Sequence, residues 1–89
     1  MQIIFTKHVL EDSIPRFRLL GWKITKTKIS QTILKPKWVG FSRFGQPAAM
    51  SLMDDKHILR VIFEEENGII RVITAYIARR GTYESTKDD

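Results

Sequence analysis

Residues 58–77 read Ile58-Leu59-Arg60-Val61-Ile62-Phe63-Glu64-Glu65-Glu66-Asn67-Gly68-Ile69-Ile70-Arg71-Val72-Ile73-Thr74-Ala75-Tyr76-Ile77. Two strand-forming runs flank Asn67-Gly68, a pair suited to the left-handed conformations of a tight hairpin turn. Alternation places Leu59, Val61 and Phe63 on one face of the first run and Ile58, Arg60 and Ile62 on the other. In the second run Ile69, Ile73, Ala75 and Ile77 oppose Ile70, Val72, Thr74 and Tyr76. Both of its faces are therefore apolar, which predicts a strand inside the sheet. Arg71 within it must snorkel or find a partner.

Upstream, Ala48 to Met53 predicts a strand closed by Asp54-Asp55-Lys56, and Trp38 to Arg43 the strand before it, joined through Phe44-Gly45-Gln46-Pro47. Thr25 to Lys35 predicts a helix with Ile29, Ile33 and Leu34 on its stripe, ended by Pro36. Val9, Leu10, Ile14, Phe17 and Leu20 recur at helical spacing and predict an earlier helix of about four turns, with Thr6 at its N-cap and Gly21 at its end. Pro15 lies inside it, so the helix must kink, or break and restart under a cap from Asp12 or Ser13. Gln2 to Thr6 reads as a first strand. The order β-α-α-β-β-β-β gives an α+β fold, two helices packed on one face of an antiparallel sheet. Residues 1–89 are expected to form a single domain, with 84–89 a disordered tail.

Cysteine is absent, so disulfides and thiolate metal sites are excluded. Neither a leader-like start nor an apolar run of membrane-spanning length is visible, and a soluble cytoplasmic protein is expected. The formal charge of +5 is uneven. From Lys7 to Arg43 there are nine Lys and Arg against Glu11 and Asp12, whereas from Asp54 onward six basic residues face eight acidic ones. A basic patch of this kind attracts phosphate chains through counterion release, and it also serves solubility.

No phosphate loop, metal-ligand spacing, nucleophile motif or dinucleotide fingerprint is present, and no cofactor is expected. RNA cleavage needs no metal if a protein supplies a base, an acid and cations for the phosphorane. His8 beside Lys7 at a helix start, with Arg71, Thr74, Tyr76, Arg79 and Arg80 on or just past the last strand, are the candidate groups. They converge only if the first helix neighbours the last strand. His8 can equally be a surface or capping residue, Thr74 and Tyr76 can pack against a helix, and Arg79-Arg80 can be a solvated end. His57 and Glu64-Glu65-Glu66 read as solvated, and Trp22 and Trp38 as core-edge aromatics.

Ile3-Ile4-Phe5-Thr6-Lys7-His8-Val9 resembles the opening of small Thr-Lys-His-type domains in the RelE/ParE toxin superfamily. Gly21-Trp22-Lys23-Ile24-Thr25, with the helix up to Pro36, is similar to their middle segment. Ile70 to Arg80 with Tyr83-Glu84 resembles the close of BrnT-type toxins. The resemblance implies a RelE-like fold with a curved sheet, metal-independent endoribonuclease activity in a toxin-antitoxin system, and an inhibitory antitoxin partner. On it His8 matches the motif histidine, Arg71 the strand arginine, Thr74 the serine or threonine of the last strand, and Tyr83 the late tyrosine. Tyr76 departs from the pattern, which has arginine there, and the motif arginine of the first helix falls on Arg16 or Arg18.

The catalytic candidates are therefore His8, Arg71, Thr74, Tyr76 and Arg79, and the nucleic-acid-binding candidates Lys7, Arg16, Arg18, Lys26, Arg43, Arg80 and Tyr83. The alternatives are a non-catalytic basic module of the same fold that binds nucleic acid or protein, and a gyrase-directed toxin. The sequence leaves the oligomeric state open.

Overall fold

The structure, a computed structural model, describes residues 2–83; the expected tail at 84–89 lies outside them. Five strands, β1 (Gln2–Phe5), β2 (Trp38–Phe41), β3 (Pro47–Leu52), β4 (His57–Glu66) and β5 (Ile69–Arg79), form one sheet in the order β1-β5-β4-β3-β2. From β2 to β5 each neighbour is antiparallel, but β1 runs parallel to β5, with Gln2 opposite Ile69 and Phe5 opposite Val72. The sheet is thus mixed, not antiparallel throughout. β2, β3, β4 and β5 alternate in direction and β1 opposes β2 across the helices, so β1 and β5 run the same way.

The β4–β5 turn has Asn67 and Gly68 at φ +54° and +79°, the two left-handed residues of a tight hairpin turn. β5 carries one residue more than β4 across the hairpin: Ile62 faces Thr74 and Phe63 faces Val72, leaving Ile73 as a bulge. The bulge reverses the alternation. Ile70 and Val72 before it and Ala75 after it point into the same core, with Ile77 packed against them. Straight alternation placed Ile70 and Val72 opposite Ala75 and Ile77, and the extra residue corrects that reading.

The first helix is continuous where a break at Pro15 was one expectation. Residues 7–8 are helical, Val9–Ser13 form a π-helical turn, and α1 (Ile14–Leu19) follows. The Ile14 N–H donates to the Val9 carbonyl, five residues back. Widening the turn gives room at Glu11, whose carbonyl a proline four residues later would meet in an ordinary helix. Ser13 remains helical and its side chain caps nothing. Thr6 is no side-chain cap either; its hydroxyl donates to the Ile73 carbonyl at the bulge (3.3 Å). Leu10 and Leu20, placed on the apolar stripe by spacing, are exposed, whereas Val9 and Phe17 are buried.

α2 (Lys26–Leu34) starts at Thr25, whose hydroxyl accepts from the Lys28 N–H. Its Ile29 and Ile33 join Val9, Phe17, Leu59, Val61, Val72 and neighbours in one core, so both helices cover one face. α2 sits on β3 and β4, and the π-turn and α1 on β5. Thr32, buried, bonds Ser51 across this interface at 2.8 Å. At the helix-side margin Trp22 meets His57 edge-on at 5.1 Å.

Replacing Gly68 by Ala is expected to lower unfolding free energy by about 1 kcal/mol. A Cβ there meets nothing within 4 Å, so the loss is conformational alone and a denaturant midpoint reads it directly. A second expectation concerns Asp54, whose carboxylate accepts from the Lys56 N–H (2.8 Å) and faces His57 Nδ1 at 2.9 Å. The Lys56 amide first, and His57 second, hold this carboxyl below its ordinary 3.8. Its contribution to stability is therefore present above that value and is lost as pH falls through the lower folded value. The stability gap between wild type and Asp54→Asn should close in acid below pH 3.8; a gap that widens there contradicts the assignment.

Candidate functional site

Because β1 covers only Ile69 to Val72, the later part of β5 lies beside the first helix, and the two ends of the chain do meet. A cleft of about 470 Å³ runs between them, lined by His8, Asp12 and Arg16 from the helix and Thr74 and Tyr76 from β5. The π-turn stacks His8, Asp12 and Arg16 on one line. Asp12 Oδ2 lies 3.7 Å from His8 Nε2 and 3.2 Å from Arg16 Nη2. One carboxylate thus sits between two groups that bear or can take a positive charge.

A second depression, of about 680 Å³, lies on the face away from the helices. Tyr76 and Thr74 are common to both, so the two hollows adjoin along β5. Register explains its floor: Arg60 faces Met50 on β3 and Tyr76 on β5, and Ile62 faces Ala48 and Thr74. Ala48, Met50, Ile58 and Ile62 are buried here although no helix covers them. Two side chains just past β5 lie near this floor. The Arg80 guanidinium lies 6.0 Å from the Trp38 ring, and the Tyr83 ring 3.9 Å from that of Arg60. Arg43 sits over Phe44 at 5.0 Å on the rim.

Arg60 is 6% exposed. It donates to Tyr76 Oη at 2.5 Å and to the Phe41 carbonyl at 3.0 Å. Burial pushes the Tyr76 hydroxyl above its ordinary 10.0, with the Tyr83 hydrogen bond adding, while Arg60 pulls the other way. Desolvation wins, and Tyr76 is a neutral phenol at pH 7.

The predicted residues thus divide. His8, Arg16, Thr74 and Tyr76 share the helix-side cleft, and Arg43, Thr74, Tyr76 and Tyr83 the sheet-face groove. Arg71 stands apart, exposed beside Glu64, Glu66 and Asn67 at the hairpin end. Arg79 pairs in register with His57 at the other end of β5, roughly 26 Å from Arg71 at ~3.3 Å per residue, too far to hold the same phosphate. Lys26 lies over the Phe5 ring at 5.8 Å, and Lys7 and Arg18 line neither hollow. Residue type alone does not single out Arg60. Its signal was present: an arginine alternating with Ile58 and Ile62 on a strand buried on both faces. Asp12 was read only as a cap.

No protein-family model, curated protein or solved structure matches this chain. Among the described residues no group of three His, Asp or Glu is placed to hold a metal, and no helix is long and apolar enough to cross a membrane.

Tyrosine absorbance followed through alkaline titration should show one step displaced above pH 10.0, absent in Tyr76→Phe. Persistence of that step in the variant would assign it elsewhere.

Proposed function

We propose that this chain is an RNA-directed, RelE-like domain that cleaves a single strand without a metal, as the toxin of a toxin-antitoxin pair held inactive by an antitoxin protein. The observation that carries the reading is the shared cleft: His8, Arg16, Thr74 and Tyr76, drawn from opposite ends of the sequence, line one 470 Å³ hollow. These are the residue types that phosphodiester cleavage needs.

In this reading the His8 ring takes the proton of a ribose 2′-hydroxyl. The 2′-oxygen attacks phosphorus, the bond to the 5′-oxygen breaks, and a 2′,3′-cyclic phosphate forms. Asp12 stabilises the imidazolium produced, and Arg16 the charge on the phosphorane. The leaving 5′-oxygen takes its proton from water, since the Tyr76 hydroxyl is held by Arg60 on the other face of the sheet. Arg71 and Arg79 bind flanking phosphates instead of the reacting one, since they lie toward opposite ends of β5.

The second reading is a binding module without catalysis. It is favoured by the engagement of the Tyr76 hydroxyl with Arg60 and of His8 and Arg16 with Asp12. RNA incubated with the protein in EDTA distinguishes them. Cleavage that falls at least about 100-fold in His8→Ala, the usual minimum for loss of a general acid or base, supports the first. Wild-type cleavage in that variant removes His8 from the mechanism. Intact RNA, retained in a salt-sensitive complex by the unaltered protein, establishes the second.

A further inference from the structure

The most deeply buried charge on the open face has no counter-ion among the described residues. Of the five N–H donors of the Arg60 guanidinium, one meets Tyr76 Oη and one the Phe41 carbonyl, and Nε is buried without an acceptor. Ion pairs among the described residues join Asp12 to His8 and Arg16, and Asp54 to His57; none includes Arg60. A guanidinium removed from water is stable only if anions or hydrogen bonds replace its hydration. Two neutral acceptors and two tyrosine rings do part of this, and an oxyanion would complete it.

The surroundings indicate what carries the oxyanion. Beside Arg60 the groove offers the flat rings of Phe44, Tyr76 and Tyr83, a second guanidinium in Arg43, and the amide and hydroxyl of Gln46 and Ser42. Phe44 is 76% exposed and Tyr83 41%, so large rings face solvent where a second ring can stack. At 680 Å³ the groove is of the size that accepts a small organic ligand.

We propose that this groove is a nucleotide site, in which one base stacks on Phe44 and its phosphate lies between Arg43 and Arg60. Tyr83, 3.9 Å over the guanidinium, occupies the path to Nε, and the phosphate reaches that atom by displacing the ring. Base stacking and arginine–phosphate contact are sequence-tolerant, so the site takes any base. It adjoins the His8 cleft but does not depend on cutting there.

The test follows the Arg60 Nε–H resonance in a proton–nitrogen spectrum of the full chain during titration with 5′-AMP, 5′-UMP, inorganic phosphate and a short 2′-O-methyl oligonucleotide, which has no free 2′-hydroxyl. Nucleotides are expected to move that resonance, and phosphate alone to bind at least tenfold more weakly. Arg43→Ala and Phe44→Ala, both at rim positions where folding is spared, are each expected to weaken binding about fivefold. A response to mononucleotides assigns the site to free nucleotides, and a response to the oligonucleotide alone assigns it to a unit within a chain. An unmoved resonance with all four probes, or equal affinity in both variants and wild type, overturns the proposal. His8→Ala should leave the titration unchanged, so loss of cleavage and loss of this site are separate outcomes.

Discussion

The insertion of Ile73 into β5 controls what each face of this domain can present. Before the bulge, Arg71 points away from the helices while Ile70 and Val72 enter the core; after it, Ala75 enters the core and Thr74 and Tyr76 point away. Were Ile73 paired as an ordinary strand residue, Thr74 and Tyr76 would lie under the helices and Ala75 would face away from them. The bulge also supplies the Ile73 carbonyl that receives the Thr6 hydroxyl, which ties the start of the first helix to the strand it must accompany. Core, cleft and groove thus share a single cause, one residue without a partner.

Much of the architecture was legible because local rules and global packing agree. Asn67-Gly68 specified the hairpin, Thr25 and Pro36 bracketed α2, and the apolar runs located the five strands within a residue or two, β4 and β5 extending slightly further. The helices and an α+β sheet follow from the order of periodicities. Three features were not legible. A bulge leaves no mark in a strand whose residues are β-formers on both faces, so alternation ran straight through Ile73. The π-turn is a response to Pro15 that only the neighbouring contacts select over a break. Parallel pairing of β1 depends on which edge the helices leave open, a property of the whole fold.

The site was partly legible for the same reason. Residue type singled out His8, Thr74 and Tyr76, and proximity of the first helix and last strand joined them. Arg71 and Arg79 looked equivalent by type, yet position along a straight strand separates them, since a strand delivers side chains in a line and not to a point. Arg60 shows the reverse case. Its importance lies in what surrounds it, a ring above and a carbonyl from β2, with no carboxylate pairing it among the described residues, and neither partner is adjacent in sequence.

The pairing of β1 with β5 has a kinetic side. Its partners are separated by 67 positions, so the loop-closure entropy of joining them must be met before any of their hydrogen bonds form. The β4–β5 hairpin, closed by two residues, has no such barrier and can form early. Topology therefore favours docking of β1, and of the helix start that carries His8, after the hairpin has formed. On that order the cleft between the first helix and β5 is expected to take shape late in folding.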